Sequence, residues 1–355
     1  LQTLSDSAFA RYLLGCFWYS KRRYEEAVSC WRETLEKSPD YAPAHRLLGV
    51  YAWNKQQDAA QALAYLQRAV ELEPENARFL FELDFLKKSL GTPVNERLET
   101  LAARKAVVLK RDDLTAELLS LWIYACHYAD AAAILGPPVF HPWEGGEGRI
   151  TGQYLLNQLQ RALQFIEREA FTQAAHCLKD ALRYPDNLGE GRLPGQTDND
   201  IWYLLGYCAE QAGDAQQAAE YYQLALQGSS TLVAGRYYND QPADYLFWQG
   251  IALRKGGNTA QAEQHFQNFI AWAGQHRDDV PQADFFAVSL PDLVVLDVSA
   301  QQQHQQHCLF IEALGHLGLG NLSASQQAMQ QLLQLNPAHD KAHLIRHALQ
   351  SGMFS

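Results

Sequence analysis

No apolar run in the sequence approaches the ~18 residues of a membrane span, and the N-terminus lacks a charged region followed by an apolar one. A membrane partner and a secretory leader are therefore not expected in these residues, although the chain opens with Leu1 rather than Met and reads as a fragment of something longer. Basic residues are scarce: 29 Lys and Arg stand against 40 Asp and Glu, for a formal net charge of −11. The longest basic run, Lys21-Arg22-Arg23, reads as a solvated loop between helices, and phosphate neutralisation needs clustered cations, so a nucleic-acid partner is excluded. The six cysteines, at 16, 30, 126, 177, 208 and 308, show no paired metal-type spacing. They read as free core thiols of a reducing compartment, which places the protein in the cytoplasm. Gly-rich phosphate loops, a Ser-His-Asp order and a nucleophile elbow are missing, so no catalytic residue is assigned and the chain is not read as an enzyme. His304 and His307, followed by Cys308, have no third ligand at a matching spacing, and neither a metal nor any other cofactor is expected.

What is present is apolar patterning. Hydrophobic residues make up 47% and charged residues 19%, enough to fold most of the chain, yet 355 residues are too many for one compact core. Repetition resolves this. Leu14-Gly15 and Leu48-Gly49 lie 34 positions apart, each is followed by an Ala opening a second helix (Ala27, Ala62), and each unit closes on a proline (Pro39, Pro74). Trp202, Leu205 and Gly206 with Ala218 and Tyr222 repeat the arrangement, as do Leu246, Gly250 and Leu253 with Ala262 and Phe266. A further unit has Ala313 in place of the usual glycine, then Gly320, Met329, Leu332 and Pro337, before a closing helix over about 339–350. The small residues let paired helices approach, and the large ones fill the gap between them. Between 76 and 187 this motif fades, but segments 76–90, 94–109, 112–126, 149–168 and 171–182 keep apolar residues at i, i+3, i+4 and i+7.

The order W-x2-L-G-x2-Y, A-x3-F, P at a period of ~34 resembles the tetratricopeptide family. The resemblance implies an all-α, right-handed superhelical solenoid of antiparallel helix pairs. Three irregular insertions interrupt it: 136–149, rich in Gly and Pro; 184–199; and the apolar, β-branched stretch 283–297, expected to pack as an extended filler of the superhelix. The expected organisation is 1–135 as N-terminal repeats, 136–200 as a helix pair flanked by loops, and 201–355 as C-terminal repeats with an extended insertion at 281–300 and a capping helix. Residues His141-Pro142-Trp143-Glu144-Gly145-Gly146-Glu147-Gly148 further resemble a hallmark of large bacterial proteins. In those proteins a β-sandwich domain of unknown function, similar to galactose-mutarotase-like sugar-binding domains, precedes a tetratricopeptide region. The stretches 187–194 and 286–292 are similar to that region as well. The likeness covers roughly 136–300, does not include the sandwich, and implies the repeat portion of a carbohydrate-related protein.

In the family, the first helix of each pair lines the concave surface. Counting from the Leu-Gly landmark gives Tyr12, Cys16 and Tyr19, then Arg46, Val50 and Trp53; later pairs offer Asp200, Tyr203, Tyr207 and Glu210, then Asp244, Phe247, Ile251 and Arg254. The family's Lys and Asn clamp for a chaperone's C-terminal carboxylate is missing, since Tyr12 and Arg46 stand for the lysines and Cys16 and Val50 for the asparagines. An aromatic face flanked by carboxylates suits a peptide, a sugar ring or an adjacent N-terminal domain of the same polypeptide. Two functions follow: a non-catalytic protein-interaction scaffold, or the accessory repeats of a carbohydrate-binding protein with a sugar near Trp143. In that loop His141, Glu144, Glu147 and Arg149 are the polar candidates, with Glu144 and Glu147 expected to cap helix N-termini or pair with Arg149.

Overall fold

The computed structural model describes residues 7–143, 145–235, 240–281, 295–351 and 353. These form eighteen α-helices, and no strand occurs among the described residues. In chain order they are α1 (Ala8–Ser20), α2 (Tyr24–Lys37), α3 (Ala42–Tyr51), α4 (Ala59–Leu72), α5 (Ala77–Ser89), α6 (Val94–Ala102), α7 (Lys105–Val108), α8 (Asp112–Tyr124) and α9 (Tyr128–Leu135). They continue as α10 (Arg149–Glu167), α11 (Phe171–Ala181), α12 (Asn199–Gln211), α13 (Ala215–Leu224), α14 (Ala243–Lys255), α15 (Thr259–His276), α16 (Ala300–Gly318), α17 (Leu322–Leu335) and α18 (Asp340–Gln350). Many starts are set by local chemistry. Asp58, Asn76, Asp214 and Ser299 each accept a hydrogen bond from a backbone N–H in the first turn that follows.

The small-residue rule holds at the pairs. A Cβ on Gly206 would fall 2.6 Å from the Tyr222 ring, and one on Gly250 would fall 2.4 Å from that of Phe266, so both rings lie on bare backbone of the partner helix. The stretch 94–109 is not one helix. Arg104 leaves the helical region at φ −115°, ψ 29°, and its N–H bonds the Leu101 carbonyl, ending α6 before α7 begins. Buried Arg97 meanwhile clasps buried Asp84 through two bonds of 3.0 and 2.6 Å, tying α6 to α5.

The chain divides into two compact units, Leu1–Thr115 with Leu290–Val298 and Ala116–Ser289 with Ser299–Ser355. The division falls inside α8. In the first unit Trp31, Leu66, Leu80, Leu86 and Leu101 form the buried centre; in the second, Trp248, Tyr203, Phe247, Phe266 and Phe269 do.

Two of the irregular stretches of the second unit are built as one piece. Phe140 N–H donates to the Asn187 carbonyl at 2.8 Å, and the Asn187 side chain donates to the Leu135 and Pro138 carbonyls at 2.9 Å each. Gly189, at φ +78°, sits so close to Phe140 that a Cβ would meet its carbonyl oxygen at 2.4 Å. Residues 227–235, after α13, are irregular as well. Of the third expected insertion, 283–294 lie outside the described residues, and 295–298 are placed on the first unit.

The thiols are free, and Cys30, Cys177, Cys208 and Cys308 are buried as expected. Cys126 corrects the expectation of core thiols throughout: it is exposed, at φ +62° in the turn that ends α8. Among the described residues no helix is long and apolar enough to cross a membrane.

Candidate functional site

Helix α3 does not end normally. Ala52–Gln56 form one π-helical turn, Gln57 takes left-handed φ 54°, and Asp58 N–H reaches back to the Ala52 carbonyl at 3.0 Å. Such turns are rare, and they often mark functional positions because they turn side chains out of helical register. Here the displaced side chains are Trp53 and Asn54. The indole Nε1 of Trp53 donates to the Asp297 carbonyl at 2.9 Å. Asn54 Nδ2 donates to the Val295 carbonyl at 2.8 Å, and Asn54 Oδ1 accepts from the Asp297 N–H at 2.9 Å. A side-chain amide thus grips a polypeptide main chain on this face, and Leu296, between the two gripped residues, is only 3% exposed.

The remaining expected residues of the first unit surround this contact in different ways. Tyr19 on α1 is half-buried among Tyr24, Trp31 and Asn54; burial foremost raises its pKa, with Tyr24 and the Asp297 carboxylate adding to it. Tyr12 packs edge-on to Tyr41 at 5.2 Å, and burial pushes its phenol up to about 12. Arg46 corrects the expectation of an open binding residue. Both its Nε and Nη2 sit 2.6 Å from the carboxylate of buried Glu82, so its guanidinium joins α3 to α5. Asn54 was not singled out from the sequence; its neighbour Trp53 was, and the amide one position on was the available signal.

In the second unit the corresponding face is closed by the chain itself. Lys341, the second residue of α18, places Nζ 2.7 Å from Asp244 Oδ2 and 3.9 Å from Asp200 Oδ2, and both carboxylates are buried. Burial, ahead of the opposing pull of Lys341, raises the Asp200 carboxyl to about 6. Tyr124 stacks on His343 at 4.4 Å and donates to the Ala338 carbonyl at 2.9 Å and to the Asp340 carboxylate. Tyr203 and Phe247, expected on an open surface, are 1% and 0% exposed and pack against Trp248 and Phe266. Tyr207 is half-buried with its ring edge towards Phe171. Two cavities of this unit, about 160 Å³ beside Lys341 and about 230 Å³ beside His347, fall below the ~300 Å³ at which ligand pockets usually begin.

The Trp143 loop is arranged differently from expectation. The indole lies on Gly146, where a Cβ would stand 1.8 Å from Cε2. His141 and Glu147 are exposed, and Glu144 lies outside the described residues. Arg149 pairs with buried Glu117 of α8, at 2.7 Å. The N-terminus of α10 is capped by Glu190, which accepts from Gly148 N–H at 2.9 and 3.1 Å. His304 and His307 give their Nε2 atoms to the His276 and Val233 carbonyls at 2.6 and 3.0 Å. Among the described residues no group of three or more His, Cys, Asp or Glu is placed to hold a metal.

Stacked helix pairs with small residues at the crossings define a helical-repeat scaffold, the class whose stacked units present extended surfaces to partners. Within that class, stretches of the chain match the tetratricopeptide repeat. Profiles of the tetratricopeptide repeat match residues 18–77 and 159–233, and a second such profile matches 244–271. Among solved structures, a tetratricopeptide repeat protein from Parabacteroides merdae is 10% identical, with 85% of this chain and 98% of that one covered and a TM-score of 0.40. The apo form of the quorum sensor NprR from B. thuringiensis is 12% identical, over 92% of this chain and 87% of that one, also at 0.40. PilF of Pseudomonas aeruginosa is 16% identical, over 76% and 93%, at 0.26.

Proposed function

We propose that this chain is a non-catalytic interaction scaffold that holds a segment of a protein partner on the first unit, with Trp53 and Asn54 gripping its main chain. The observation that carries this reading is the trio of hydrogen bonds from these two side chains to the backbone of residues 295–297. Main-chain bonds provide affinity in strand-like recognition, while pockets for alternate side chains provide selectivity. The half-buried rings of Tyr19 and Tyr24 supply rigid contact area at small entropic cost. A domain of the same polypeptide, which the likeness over 136–300 implies, is one source of such a segment.

The carbohydrate reading rests on the Trp143 loop, where one face of the indole is covered by Gly146. The peptide reading is preferred because a polypeptide is already seated on Trp53 and Asn54. Selection of seven-residue peptides from a displayed library on the whole chain tests it. Peptides so obtained should lose about tenfold or more in affinity for the Trp53→Ala and Asn54→Ala chains, since each bond or aromatic anchor contributes roughly 1–2 kcal/mol. Selected peptides that bind all three chains equally would refute the assignment.

A further inference from the structure

The seated polypeptide belongs to the chain itself, more than 240 positions along the sequence from the residues that hold it. Building on the reading above, we infer that residues 295–297 are a built-in occupant of the partner site, and that the site accepts segments carrying a leucine followed by an aspartate. A partner reaches the site by displacing the chain's own copy of its ligand.

Three features of the contact support this. All three hydrogen bonds go to main-chain atoms, which any polypeptide carries. The carbonyl of Val295 and the N–H of Asp297, at i and i+2, lie on either side of Leu296 in a bent stretch of chain, and both face Asn54. Asn54 meets both with the two ends of one planar amide.

Selectivity then falls to the side chains. The residue between the two gripped positions is Leu296, which is 3% exposed. The flanking Asp297 side chain is exposed, and its carboxylate is near enough to the Tyr19 phenol to raise that group's pKa. A buried aliphatic anchor and a solvent-side carboxylate beside a phenol are the chemistry a foreign segment has to reproduce.

Attachment in the same chain gives the resident segment an effective concentration on the order of millimolar. With an intrinsic dissociation constant of roughly 100 µM for the resident segment, a competing free peptide is weakened about tenfold. The self-contact therefore sets a threshold that discriminates against weak ligands.

The test uses a fluorescein-labelled peptide of residues 293–299, Leu-Val-Val-Leu-Asp-Val-Ser, and the whole chain, read by fluorescence polarisation. A variant carrying Val295→Gly, Leu296→Ser and Asp297→Gly empties the site. It should bind the peptide about tenfold more tightly than the unaltered chain, and adding Asn54→Ala should abolish that gain. Leu296→Asp alone serves the same purpose should the triple variant melt early by circular dichroism. Equal affinity of the unaltered and emptied chains would overturn self-occupancy while leaving the partner site standing. A gain that survives Asn54→Ala would put the peptide elsewhere, and failure of every variant to bind would overturn the partner site as well.

Discussion

Lys341 Nζ lies 2.7 Å from Asp244 Oδ2 and so joins the first turn of α18 to the first turn of α14, with Asp200 of α12 3.9 Å away on the other side. One cation thereby serves two buried carboxylates within the second unit. Replacing it by methionine strands both charges. Lys341→Met should destabilise the chain by about 3 kcal/mol, the lower part of the range for breaking a buried pair, because the Lys341 side chain is itself only partly covered. Adding Asp200→Asn and Asp244→Asn should restore most of the loss. Urea denaturation followed by circular dichroism measures both, and a Lys341→Met chain as stable as the parent would remove the pair from the account.

His339 is the N-cap of α18, its Nδ1 accepting the Ala342 N–H at 3.1 Å, and burial lowers its pKa to about 4 from the usual 6.5. The unfolded chain therefore binds the extra proton first. Stability contributed by the neutral ring is complete above about pH 6.5 and is lost as pH falls towards 4, by on the order of 3 kcal/mol. Asp200, raised to about 6, has the opposite slope between its usual 3.8 and 6, losing stability as pH rises. His339→Asn keeps a capping oxygen and removes the titration. Melting curves from pH 4 to 7 should show a stability gain with pH in the parent relative to this variant; parallel curves would contradict the assigned shift.

Helix crossings give a paired prediction. Gly250→Ala puts a methyl 2.4 Å from the Phe266 ring and should cost about 1–3 kcal/mol by forcing the two helices apart. Gly152 sits inside α10 with nothing within 4 Å of a Cβ, so Gly152→Ala should stabilise by about 0.5–1 kcal/mol. Thermal denaturation of the two variants should move in opposite directions.

Much of this was readable in the sequence. The Leu-Gly landmarks at 14–15, 48–49 and 205–206 with Ala27, Ala62 and Ala218 specify helix pairs through a local packing requirement, and a local requirement leaves a periodic trace. The closing helix, expected at about 339–350, is found at Asp340–Gln350 for the same reason. Residue destinations were less legible. Arg46 and Arg149 both read as surface cations, yet each meets a buried glutamate more than thirty positions away, Glu82 and Glu117. Tyr203 and Phe247 sit on the expected helices, but the neighbouring Trp248 and Phe266 cover them. Asn54 gained its role from a π-turn, a change of helical register with no spacing signal, and from a partner segment 241 to 243 positions away.

Arg46 was expected to meet a ligand, and its bidentate pair with Glu82 predicts a stability effect instead. Arg46→Ala leaves a carboxylate that is 2% exposed with only the more exposed Arg78, at 3.0 Å, and should cost about 2–4 kcal/mol. Arg46→Lys keeps the charge but loses the fork and should fall between the two. An unaltered urea midpoint for Arg46→Ala would contradict this.

The central claim is that Asn54 holds a main chain on the first unit, and amide hydrogen exchange at Asp297 reads that bond directly. With Asn54 Oδ1 accepting the Asp297 N–H at 2.9 Å, this amide should be protected in the parent chain, although its side chain is exposed. It should exchange about tenfold or more faster in Asn54→Ala, while core amides of α2 and α4 keep their rates. An Asp297 amide that exchanges equally fast in both chains would show that the grip does not exist in solution.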